Sequence, residues 1–122
     1  MHVLLVQDDL DTRDLLQHAL KIEGHEVSQA FGTTDALRFS HTHPDIDVVV
    51  MDVSHSRGFS MMALVQELRR CLHNGYYILA SGDWDTLEPS CQKDMTVLRK
   101  PYGKRDVLQA ISLCTDRLAH SA

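Results

Sequence analysis

The chain has 122 residues, of which 43% are hydrophobic and 24% charged, and a formal net charge of −5. That length suits one domain with a core of its own, and residues 1–122 are expected to form it. An acidic balance with no basic block excludes a nucleic-acid surface as the main business of the chain, and no apolar run approaches a membrane span. Met1-His2 leads straight into Val3-Leu4-Leu5-Val6 without the charged start and long apolar stretch of a signal peptide, so a cytoplasmic location is expected. Cys71, Cys91 and Cys114 are odd in number and widely spaced, which favours buried free thiols over a disulfide framework or a zinc motif.

Val3 to Val6 is an apolar run that ends in Gln7-Asp8-Asp9. The period then changes: Leu15, Leu16, Ala19 and Leu20 suit one face of a helix that Gly24 ends with a left-handed residue, and Asp11 and Asp14 suit the positive end of its dipole. Glu26 to Ala30 reads as a strand, less apolar than the others and so nearer an edge. Thr33 or Thr34 is expected to cap a short helix carrying Ala36, Leu37 and Phe39 and ending before Pro44.

Val48-Val49-Val50-Met51-Asp52 is the most informative stretch. Four apolar residues in a row, three of them β-branched, suit a strand buried on both faces, and the run stops in a carboxylate. A polar loop from Val53 to Gly58 follows. Met61, Leu64, Val65, Leu68 and Leu72 then have helical spacing, with Asn74-Gly75 as the stop. Tyr76 to Ala80 reads as a fourth strand that delivers Ser81-Gly82-Asp83. Pro89 and poor apolar periodicity leave only a short or distorted helix before the fifth strand, Met95 to Leu98. Arg99-Lys100-Pro101 comes next, and Val107, Leu108, Ile111, Cys114 and Leu118 mark a last helix.

Five strands alternating with five helical segments predict an α/β fold, a doubly wound five-stranded parallel sheet in the flavodoxin-like order 2-1-3-4-5. In that order the tips of strands one and three flank the point where the winding reverses, and Asp8, Asp9 and Asp52 meet there. Gathering carboxylates is costly, since two unit charges ~4 Å apart repel by roughly 4 kcal/mol at an effective dielectric of about 20. Mg²⁺ is the natural counter-charge, because it takes one or two carboxylates, keeps waters and shares a phosphate oxygen. Lys100 adds an ammonium at the tip of strand five and Ser81 a hydroxyl at the tip of strand four. The set suits phosphoryl transfer onto Asp52 as nucleophile. Nothing cradles a nucleotide: there is no Walker lysine motif and no glycine fingerprint after strand one.

Asp8-Asp9, Asp52, Ser81 and Lys100-Pro101, in this order and at these strand ends, resemble the response-regulator receiver domain of bacterial two-component signalling. The resemblance spans essentially the whole chain. It implies a CheY-like fold and phosphorylation of Asp52 by a phosphohistidine on a sensor histidine kinase or histidine phosphotransfer protein. It implies Mg²⁺ held by Asp9, Asp52 and the backbone carbonyl of Ser54, with Asp8 acting through water, and a Ser81 that follows the phosphoryl group. A module of this kind is a signalling protein rather than an enzyme. With the chain stopping soon after its last helix, the effect is expected through a downstream protein target, without direct contact to nucleic acid or membrane.

Three departures fall on the face that signals in such proteins, one of them a segment from Ser81 to Lys100 that is shorter than usual and, with Pro89, implies a reduced fourth helix. Val97 stands three residues before Lys100, where the family has a switch Tyr or Phe, and the loop after Asp52 lacks a Met-Pro-Gly pattern. They make a degenerate receiver, binding partners without phosphorylation, the alternative. A haloacid-dehalogenase-type phosphatase also uses a strand-end Asp and Mg²⁺, but it needs an acid two residues later, where this chain has Ser54. His41, His43 and His55 lack a fourth ligand and do not make a metal motif. Asp83 and Ser54, two residues past Ser81 and Asp52, border the pocket, where solvent exposure alone also accounts for them.

Overall fold

A computed structural model of the chain describes residues 1–7, 9–52, 61–72, 75–81, 95–99 and 102–120. Its elements are β1 (His2–Gln7), α1 (Leu10–Ile22), β2 (Glu26–Ala30), α2 (Thr33–Thr42), β3 (Val48–Asp52), α3 (Met61–Cys71), β4 (Tyr76–Ser81), β5 (Met95–Arg99) and α4 (Lys104–His120). The strands form one parallel sheet in the order β2-β1-β3-β4-β5, the doubly wound arrangement expected from the sequence. The segment between β4 and β5, expected to carry a distorted helix around Pro89, lies outside the described residues.

The apolar runs are continuous because both faces of the sheet are covered. Successive side chains of a strand point to opposite faces, and β1 divides accordingly. Leu4 and Val6 pack with Val49, Met51, Leu79 and the α3 residues Leu64, Val65 and Leu68. Val3 and Leu5 pack with Val48, Val50, Ile78, Leu16 and Leu20 of α1, and Val107 and Ile111 of α4. Val48, Val49, Val50 and Met51 are all buried. Burying one such side chain stabilises the fold by about 1.5–3 kcal/mol, so β3 is held from both sides.

Asp47 fixes the start of that strand. Its carboxylate Oδ2 accepts the His2 N–H at 2.8 Å, its own N–H donates to the His2 carbonyl at 2.9 Å, and its carbonyl accepts the Tyr76 N–H at 2.9 Å. One residue thus aligns the entries of β1, β3 and β4.

Three expectations are corrected. Leu15 is exposed, and the buried face of α1 is made by Arg13, Leu16, Ala19 and Leu20 instead. Leu16 lies three residues from both Arg13 and Ala19 and four from Leu20, which puts them on one stripe, whereas Leu15 sits about 100° from Leu16 around the helix axis. At the start of α2 the cap is Gly32, and Thr33 and Thr34 are the first residues inside the helix. Cys71 is free but half-buried, so it is not the core thiol expected. Gly24 does take the left-handed conformation, at φ 90°, where α1 gives way to β2.

Candidate functional site

The strand register builds one rim at the carboxyl edge of the sheet. Asp52, the last residue of β3, is the register partner of Gln7, the last residue of β1. Ser81, the last residue of β4, is the partner of Arg99, the last residue of β5. Met51 pairs with Leu79, so β4 reaches that edge beside β3. Residues emerging from four adjacent strands therefore share this edge, Asp9 two positions after Gln7 among them. Asp8, Ser54 and Lys100 lie outside the described residues. So do Asp83 and His55, while Val97 lies within β5.

Asp9 is the acid whose surroundings are described in full. It is exposed, with extended backbone at φ −89° and ψ 117°, and it caps α1. Its Oδ2 accepts the Thr12 N–H at 3.2 Å and the Thr12 hydroxyl, and its carbonyl accepts the Arg13 N–H at 3.0 Å. An Asp at this position satisfies N–H groups that the first helical turn leaves without partners. The cap engages Oδ2, and Oδ1 remains on a solvent-facing carboxylate, a hard oxygen donor of the kind Mg²⁺ takes. Among the described residues no group of three or more His, Cys, Asp and Glu side chains gathers as a metal cluster. The donor set for a metal would draw on Asp9 together with Asp8, Asp52 and the Ser54 carbonyl, and its oxygen-only chemistry fits Mg²⁺.

Two residues that sequence reasoning passed over hold this corner. Gln7 is 1% exposed at the end of β1. Its Oε1 accepts the Asp9 N–H at 3.0 Å and its Nε2 donates to the Tyr102 hydroxyl at 3.4 Å. A buried amide is stable only with its donors and acceptors met. Gln7 meets that need by joining the turn after β1 to the chain after β5, two residues past Lys100. The available signal was a polar residue closing an apolar run, together with a Tyr directly after Lys100-Pro101. The entry to α4 has its own local bond, from the Gly103 N–H to Asp106 Oδ2 at 2.8 Å.

No protein-family model and no curated protein matches the chain. Solved structures do. A response regulator receiver domain protein from Clostridium thermocellum superposes with a TM-score of 0.80 at 24% identity, over 99% of this chain and 98% of that one. A CheY-like response regulator receiver domain protein from Methanospirillum hungatei gives 0.82 at 21% identity, over 99% and 98%. An adenylate cyclase structure from Rhodopirellula baltica gives 0.84 at 23% identity, over 98% and 92%. At these identities the likeness concerns the fold: the chain has the CheY-like α/β fold of response-regulator receiver domains. Among the described residues no helix is long and apolar enough to cross a membrane.

Proposed function

We propose that the chain is a phosphorelay receiver that accepts a phosphoryl group onto Asp52 from a phosphohistidine of a sensor histidine kinase or histidine phosphotransfer protein. The observation that carries this reading is the shared rim, where Asp52 ends β3 opposite the strand that runs into Asp9, and Ser81 ends β4 beside the strand that runs into Lys100. A carboxylate oxygen of Asp52 forms the new O–P bond as the N–P bond of the phosphohistidine breaks, and the departing imidazole keeps the bonding pair and takes up a proton. Asp9, Asp52 and the Ser54 carbonyl would hold Mg²⁺, with Asp8 acting through water; when bound, the ion neutralises charge on the phosphoryl oxygens. Lys100 supplies a fixed ammonium on the other side and Ser81 a hydroxyl donor. The chain then acts in the cytoplasm by protein contact with a downstream target, without nucleic acid or membrane, as a signalling module rather than an enzyme. Its switch is atypical, because Val97 has no ring to swing between exposed and buried positions.

The test is incubation with acetyl phosphate and Mg²⁺, followed by intact-mass measurement. The wild-type chain gains one phosphoryl group, and Asp52→Asn, omission of Mg²⁺ or Lys100→Ala abolishes or strongly reduces the gain. No gain in the wild type would overturn the phosphoacceptor reading in favour of a degenerate receiver that binds partners independently of phosphorylation.

A further inference from the structure

β2 is an edge strand, paired with β1 alone. Exposed edges invite pairing with another chain, and proteins commonly guard them with Lys or Pro. In Glu26-Val27-Ser28-Gln29-Ala30 the only charge is the exposed Glu26 at the start, and the three middle residues, which carry none, are half-buried. Directly after it stands Phe31, 63% exposed, with the Arg13 guanidinium 4.1 Å from its ring centroid. Arg13 is itself 5% exposed, so the cation that holds the ring is fixed in place. Phe31 therefore presents an open face to solvent without being free to move.

Beside it, α2 contributes Asp35, Arg38, Phe39 and Thr42, whose spacing of three, one and three residues puts them on one helix face. With Gln29 and Phe31 they line an open groove of about 370 Å³. Phe39 is fixed as well: its ring stacks on His43 at 4.0 Å and 4°, and meets His2 edge-on at 6.1 Å. Aromatic side chains already locked in place lose little freedom on association, which is what anchors of an interface require.

Asp35 and Arg38 lie one turn apart with opposite charges, and neither has an ion-pair or hydrogen-bond partner among the described residues. An extended segment of one charge sign would satisfy one of the two and repel the other. A second copy of the same face, turned by a two-fold axis, satisfies both, because an antiparallel pair of helices exchanges positions three residues apart about their midpoint. We propose that this face is a two-fold interface between two copies of the chain. The β2 edges run antiparallel to each other, Asp35 faces the partner's Arg38, Arg38 faces the partner's Asp35, and the groove of each copy covers the exposed ring of the other. This interface is on the β2 edge of the sheet and is independent of the chemistry proposed for Asp52.

Sedimentation equilibrium of the full chain from micromolar to millimolar concentration tests it, with circular dichroism confirming that each variant is folded. The wild type is expected to show a monomer–dimer equilibrium. Asp35→Arg or Arg38→Asp alone sets like charges against each other and weakens association by roughly tenfold or more. The two swaps together restore it, and Phe31→Ser weakens it without altering the response to the swaps. A chain that stays monomeric throughout, a dimer indifferent to either single swap, or a double swap as weak as the singles overturns the proposal.

Discussion

Asp9 and Thr12 are joined twice, through the Thr12 N–H at 3.2 Å and through its hydroxyl, both to Oδ2 of the same carboxylate. A carboxylate proposed to hold Mg²⁺ is therefore also the cap of α1. Asp9→Ala is expected to cost about 1 kcal/mol of stability as the loss of an N-cap. The two roles separate in urea unfolding with and without Mg²⁺. The ion stabilises the wild type but not Asp9→Ala; an equal gain in both would remove Asp9 from the metal set.

Gln7 offers a second handle on the same corner. Gln7→Leu keeps the volume buried but removes the acceptor of the Asp9 N–H. Leaving such a donor without its partner costs about 1–3 kcal/mol. Chemical denaturation should register that loss. Tyr102→Phe should cost less, because the Asp9 N–H keeps its acceptor. Equal stability of Gln7→Leu and wild type would show that the Asp9 N–H has found another acceptor.

Ser40 is expected to respond in the opposite direction. It is 0% exposed on α2, and its Oγ has no hydrogen-bond partner among the described residues. Ser40→Ala removes a buried hydroxyl and substitutes a better helix former, which should raise stability by about 1 kcal/mol or more. Thermal unfolding of the variant decides the matter, a lowered midpoint being the contrary result.

His25 gives a pH dependence. Burial, and then the Met1 ammonium whose nitrogen lies 3.4 Å from its Nδ1, hold its pKa below 6.5 against the raising pull of Glu23. The unfolded chain then takes up this proton at a higher pH than the folded chain does. This contribution to stability is complete above pH 6.5, falls as the pH drops below that value, and levels off once folded His25 is also protonated. His25→Gln should flatten that part of the stability curve. An unchanged acid limb in the variant would assign the fall to other groups.

The sheet was legible because its signal is redundant. Val48 to Met51 is apolar at every position, a pattern that two-sided burial demands and an edge strand such as Glu26 to Ala30 does not show. The alternation of strands with helices gave the doubly wound class, and the strand order was expected as the commonest of the few that right-handed crossovers allow. Arg13 was not legible, since a guanidinium on a core stripe looks like a surface residue until the ring of Phe31 is seen beside it. Leu15 was misassigned for the complementary reason, an apolar residue next to the stripe but outside it. At the rim, Asp9 and Asp52 could be located from strand ends alone, whereas Gln7 and Tyr102 could not. Their hydroxyl–amide bond joins positions 95 residues apart, and no local period encodes it.

The two packed clusters lie on opposite faces of one sheet, with Leu68 on one side and Ile111 on the other. The sheet acts as a partition wall between two rooms that share a floor plan but no furniture. Enlarging one room does not crowd the other, so the free-energy changes of Leu68→Ala and Ile111→Ala should sum when the two are combined. A lineage carrying this architecture is thus free to refurnish one room, and with it the helices that room supports, while the opposite one stays as it was.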